Sequence, residues 1–411
     1  MHKTSHMTFR IGAAKSEPLA SKKLYATVTL WLFVIAQNAD LSASRFLWWG
    51  TVALFVAVYM LSYNFQIYFD NYTIWIAAFI LFAAASVIWA ITPSLVVNTM
   101  KSLVINMVVF LLLRSSIRIQ KDIEFLLKLL LVACVVNAAY LLFTNAAILQ
   151  QTQEVGNRLG TQDGWNANLI GMMAAVGTLL STYFFRNSSK MSQKILFALT
   201  VVFLGAVSLI TGSRKAVVML MGGLSAYIFL SSKGKRIRSL FFIVFTVLSL
   251  WYLIMENAYF YSIVGRRVEA FLSQYTGVGR QDNSSITRQI LIETAIDTWK
   301  QKPFWGYGLD CFRYFGKLAT GHNYYAHNNY VELLADLGIF GFVTYYSGYV
   351  YALIKSWGSR KNKISLLLFV LTCIMVVVEY ACVTYMNFLF GIIIMLSFAN
   401  SNVQKTEEIK K

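Results

Sequence analysis

The sequence predicts an all-α integral membrane protein: a polytopic bundle of about twelve transmembrane helices with one long extracytoplasmic loop that itself contains helices. Three observations predict it. Of 411 residues, 57% are hydrophobic and only 13% are charged, whereas a soluble domain carries about a quarter of its residues as Asp, Glu, Lys and Arg. The apolar residues gather into continuous runs approaching the roughly 20 residues a helix needs to cross a bilayer, without the alternation of a membrane β-barrel. The basic residues fall between alternate runs. A soluble enzyme, a disordered tail protein and a secreted disulfide scaffold are excluded together.

The runs lie near 24–38, 45–63, 74–92, 95–113, 123–149, 165–185, 195–212, 216–230, 239–255, 338–354, 364–384 and 388–400. Each must be helical, because unpaired backbone groups are costly in lipid. The runs 216–230 and 388–400 are short for a full span. The chain therefore divides into a cytoplasmic tail (1–23), a bundle of about nine spans (24–255), an extracytoplasmic cap (256–337), about three more spans (338–400) and a second cytoplasmic tail (401–411). Orientation follows from Lys and Arg. With the N-terminus inside, the tails and segments 114–122, 186–194, 231–239 and 355–363 hold 22 of the 36 basic residues. The formal charge of +18 is thus a topology signal, and no nucleic-acid partner is expected. Cys134, Cys311, Cys373 and Cys382 lack metal-ligand spacing and read as small core residues.

The 256–337 loop carries eight basic and eight acidic residues and is too long and too aromatic to be a plain connector. Within it SSITRQILIETAIDTWKQKP predicts a helix. Ser284 or Ser285 caps it, Ile286, Ile290, Ala295, Ile296 and Trp299 supply the apolar stripe, and Pro303 stops it.

Several polar residues are not explained by topology. Arg158 in NRLGTQDGWNAN, Arg214 and Lys215 in TGSRKA, and Arg288 on the loop helix share the outer face. Arginines bounded by small polar residues suit a phosphate, which guanidinium grips in a bidentate fork. Lys101 and Glu379 lie within spans, where ionisable groups face the bundle interior. His322 and His327 lie in GHNYYAHNNYVELLADLGIFG, which runs straight into a span; an imidazole there with a pKa near ~6.5 takes a proton from a hydroxyl at neutral pH. The pairs Glu293/Asp297 and Glu332/Asp336 read as solvated helix faces. The chain has no D-x-D, H-E-x-x-H or phosphate-binding G-x-x-x-x-G-K-[ST], so no metal and no cofactor is expected.

The stretches Thr211–Ala216, Arg288–Gly308 and His327–Gly341, with weaker support at Arg158–Asn168, resemble the O-antigen ligase and O-antigen/capsule polymerase superfamily of bacterial envelope enzymes. The resemblance implies a multi-pass protein of the bacterial inner membrane with its active site on the extracytoplasmic face. It implies an inverting, metal-independent glycosyltransferase whose donor is a glycan on undecaprenyl pyrophosphate. Arg214, Arg288 and Arg158 then hold the pyrophosphate and His327 is the base, with Lys215, His322, Asn328, Tyr330 and Glu332 in supporting positions. Other partners implied are membrane lipid and a chain-length regulator or flippase of the same pathway. The run GYGLDCFRYF followed by HNNYVELLADLGIFG resembles the polymerase branch, which joins lipid-linked repeat units. The alternatives are a ligase acting on lipid A-core and a lipid-linked oligosaccharide flippase, which would need charge along a central cavity through both leaflets.

Overall fold

The computed structural model describes residues 7–10, 21–38, 44–63, 66–145, 166–232, 234, 236–257 and 283–409, together with positions 261, 265 and 269. Every predicted run overlaps a helix, with positions 146–149 and 165 lying outside the described residues: α1 Lys22–Gln37, α2 Arg45–Tyr63, α3 Asn71–Ala85, α4 Pro93–Ser116, α5 Gln120–Thr144, α6 Ala167–Asn187, α7 Met191–Ile210, α8 Arg214–Ser231, α9 Arg236–Glu256, α12 Asn329–Gly358, α13 Lys363–Glu379 and α14 Phe388–Ile409. Between α9 and α12 lie α10 Asn283–Gln301 and α11 Phe312–Thr320. A two-stranded antiparallel ladder joins β1 (Met7–Arg10) to β2 (Gln66–Phe69), a small addition to the all-α expectation.

Among the described residues eight helices, α2 to α8 and α12, are long and apolar enough to cross a membrane, against about twelve expected. Helices α1 and α13 have only 16 and 17 residues. In α9 the apolar stretch is confined to Ile237–Ser249, and α14 turns polar from Asn400 onward. The architecture is that of a multi-pass helical membrane protein.

Helix α6 is the centre of the bundle: 78% of its apolar window is buried, and it packs on α5, α7 and α8. Small residues permit this. A Cβ on Gly171 would lie 2.5 Å from Thr211 Oγ1 and 2.7 Å from the Ala216 methyl, so the α7–α8 turn lies directly against α6. At one end of the bundle Asp70 caps α3 through the backbone N–H groups of Tyr72 and Thr73. The same carboxylate takes a buried 2.6 Å ion pair from Arg114 of α4 and a 2.8 Å hydrogen bond from Asn402 of α14. Lys101 does not face the interior as expected: it is exposed on α4, where its ammonium donates to Asn98.

The run predicted at 338–354 belongs to a helix that starts earlier, at Asn329, and kinks at Gly338 (φ 61°, ψ −167°). Helices α10 and α11 pack on each other, and α10 packs on the first turns of α12, around Leu291, Ala295, Phe312, Ala326 and Ala335. The buried stripe of α10 is thus Leu291, Ala295 and Thr298, whereas Ile286 and Ile290 are exposed. Hydrophobic spacing along one helix does not show which stripe finds a neighbour.

The P-x-x-G-x-G stretch after α10 is explained by backbone contact. Ile339 donates to the Pro303 carbonyl (2.8 Å), Tyr307 to Ala335 (3.0 Å) and Gly308 to Asp336 (2.7 Å). Gly306 and Gly338 both have positive φ, and a Cβ on either would lie 2.3 Å from the opposing backbone. These glycines rivet the loop to the kink of α12. Gly338→Ala is expected to lower the melting temperature strongly, since strained backbone of this type costs about 1–3 kcal/mol before any clash is counted. Gly321→Ala is the control: φ is also positive, but nothing lies within 4 Å of the new Cβ. Equal melting shifts for the two variants would refute the rivet.

Candidate active site

The candidate residues meet at the end of the bundle opposite the Asp70 cluster, where α6, α8 and α12 begin. The α7–α8 turn uses Gly212 in the left-handed region. Ser213 caps α8 by accepting from the Ala216 N–H, and it donates to Asn168 Oδ1 of α6 at 2.9 Å. This places Arg214 and Lys215 in the first turn of α8, with Lys215 buried. Arg288 projects from the cap helix α10. It is half-buried and, among the described residues, makes no hydrogen bond or ion pair.

His327 lies within electrostatic reach of Lys215 and Arg288. It precedes the cap residue Asn328, whose side chain accepts from the N–H groups of Tyr330 and Val331. Its φ is +56°, a region in which histidine is enriched over most side chains. Its ring lies 4.1 Å from that of Tyr325. Its Nδ1 is buried without a hydrogen-bond partner among the described residues. Burial first, and then the charges of Arg288, Lys215 and Arg313, push the imidazole down to about 3. The expectation of a pKa near the ordinary value is therefore corrected: three cations converge on a histidine that is neutral at pH 7. Arg288 and Lys215 also bear on the Cys382 thiol, which burial raises to about 11. The turn after α13 thus borders the same cluster.

Arg313 was not singled out by sequence. It sits on α11, forms a 2.6 Å ion pair with Asp310 and lies 5.5 Å over the Tyr325 ring. Asp310, itself at φ +61°, accepts 2.8 Å from Thr99 of α4, which fixes Arg313 against the bundle.

Glu332 and Asp336 are not a solvated face. Both are fully buried. Asp336 accepts from the N–H groups of Asp310 and Phe312, each at 2.7 Å, and Glu332 accepts from the Ala326 N–H just before His327. Their carboxylates hold the loop to α12. Glu293 and Asp297 are exposed, as expected. Tyr330 donates to the Val376 carbonyl at 2.6 Å, tying α12 to α13. His322 is exposed, beside Tyr324. Arg158 lies outside the described residues. Glu379 is buried and receives hydrogen bonds from Tyr346, Tyr349 and Thr384.

No group of three or more His, Cys, Asp or Glu among the described residues is arranged to hold a metal. What the cluster offers is positive charge, partly withdrawn from water, beside a neutral imidazole: a place for a phosphate next to an acceptor of a proton or hydrogen bond. Residues 198–346, which contain the whole cluster, match the family model described as O-Antigen ligase. No curated protein matches the chain.

Proposed function

From an assignment to the O-antigen ligase and polymerase superfamily, which the match over residues 198–346 supports, we propose that the protein transfers a glycan from polyprenyl pyrophosphate to a sugar hydroxyl. The carrying observation is the convergence of Arg288, Lys215 and Arg313 on His327 at one end of membrane-crossing helices. The acceptor oxygen attacks the anomeric carbon from the face opposite the pyrophosphate. The carbon–oxygen bond to phosphate breaks, and the lipid pyrophosphate leaves with the bonding pair. Negative charge grows on the leaving phosphate, and fixed cations in a half-dry site stabilise it without reorganising. His327 takes the acceptor proton. Arg214, next to Lys215, and Arg158 complete the pyrophosphate contacts in this reading, with undecaprenyl as the lipid and the outer face of the bacterial inner membrane as the location. A chain-length regulator or flippase of the same pathway is the protein partner.

The acceptor we propose is another lipid-linked repeat unit, making the protein a polymerase; the run GYGLDCFRYF with HNNYVELLADLGIFG supports this. The description of the matched family favours the second reading, a ligase that uses lipid A-core. Purified protein incubated with lipid-linked repeat units alone is expected to yield a product ladder. No product until lipid A-core is added would establish the ligase instead.

A further inference from the structure

A cavity of about 870 Å³ lies at the other end of the bundle. It is framed by the ends of α6 and α8, the starts of α9 and α13, and the turn between α12 and α13. Helix α6 begins at the candidate active site and ends at this cavity. Its 21 residues put the two about 30 Å apart, the thickness of a hydrocarbon core. The Lys and Arg asymmetry assigns this end to the cytoplasm.

Arg186, Arg238, Arg360, Lys361 and Lys363 line the cavity, and no Asp or Glu does. Among the described residues none of the five pairs with a carboxylate. The Arg360 guanidinium is held in place, donating to the Trp357 carbonyl at 3.0 Å and lying 4.4 Å over the Trp357 ring. Topology alone requires basic residues on this face, but not five of them drawn from three chain segments around one concave space. Like charges gathered so closely repel, and an anion between them removes that repulsion. The apolar part of the wall is Phe185, Ile228, Leu230 and Leu366, and Phe185 and Leu230 are accessible at the ends of membrane-crossing helices. Charge at the mouth with apolar side chains toward the membrane suits an amphiphile rather than a soluble anion.

We propose that this cavity binds a membrane lipid with an anionic phosphate headgroup, the headgroup among the cations and the acyl chains along the apolar wall. Basic pockets between helices on the cytoplasmic side take such headgroups. The site is separate from the transfer site, and it stands whether or not the proposed reaction is correct.

The test uses the full-length protein and does not read activity. Native mass spectrometry after reconstitution with phosphatidylglycerol or with zwitterionic phosphatidylcholine is expected to show retained phosphatidylglycerol only. The triple variant Arg186→Ala, Arg238→Ala, Lys363→Ala should retain at least tenfold less. The control Lys190→Ala, Lys194→Ala removes basic residues of the same face that do not line the cavity, and it should retain the wild-type amount. Three results would overturn the proposal: equal loss in the control, unchanged retention in the triple variant, or variant-sensitive binding of inorganic pyrophosphate with no lipid retained. A circular dichroism spectrum matching the wild type establishes that the triple variant is folded; if it is not, the single Arg238→Ala variant, expected to lose at least threefold, decides.

Discussion

Arg288→Ala is expected to lower glycan transfer by 10²–10³, the loss of about 3 kcal/mol that follows removal of one fixed group stabilising transition-state charge. The fold should survive. Arg288 is half-buried on α10 with no hydrogen bond or ion pair among the described residues, so truncation strands no buried partner. Arg288→Lys should restore only part of the rate, because a point charge replaces a planar fork. Arg313→Ala provides the contrast. It too removes a cation near His327, but it leaves Asp310 without its ion-pair partner, so melting temperature and activity should fall together. Lys215 has the same electrostatic claim as Arg288 on His327 and is buried, so Lys215→Ala is expected to lower transfer as well. Full transfer by Arg288→Ala at normal membrane levels would remove Arg288 from the pyrophosphate site.

The helices were legible because continuous apolar runs leave a chain in lipid no other backbone solution. Their limits were less so. NNYVELLAD reads as a solvated stretch ahead of the span because of Glu332 and Asp336, yet it forms the buried first turns of α12, where those carboxylates accept the N–H groups of Ala326, Asp310 and Phe312. A residue's partners 6 to 26 positions away leave no trace in local hydropathy. The glycines of the P-x-x-G-x-G stretch were visible as a pattern, but their cause, backbone touching backbone at Asp336 and Phe304, was not. The same holds for the site. His327, Arg288 and Lys215 were marked by their short motifs and shared face. Arg313 and Tyr325 were not, because what qualifies them is the folding of α10 and α11 onto the start of α12. Folding also changed the chemistry, since burial first and then the surrounding cations move the histidine far from its ordinary range.

That shift sets the remaining prediction. His327→Asn is expected to lower transfer by about 10²–10⁴, the usual contribution of a positioned acid–base group. Asparagine is the appropriate substitute, because it tolerates the positive φ at this position better than alanine does. In the free protein the imidazole is held down to about 3, first by burial and then by Arg288, Lys215 and Arg313. It therefore stays neutral through the physiological range, and kcat/KM should show no acid limb from this residue between pH 7 and about 5. A pyrophosphate docked among the same cations offsets their charge and raises the imidazole's basicity. The acid limb of kcat, which reports the bound complex, should then lie at higher pH than that of kcat/KM. Stability follows the same linkage. Between the ordinary value near 6.5 and the folded value, the unfolded chain binds a proton that the folded chain does not, so stability rises with pH. Wild-type melting temperature should fall as pH drops through that window, with no contribution from His327 above it, and His327→Asn should flatten the fall. An acid limb in kcat/KM near pH 6.5 that disappears in His327→Asn would show that burial and the cations do not depress this imidazole. A fully active His327→Asn protein with wild-type melting would place the base elsewhere.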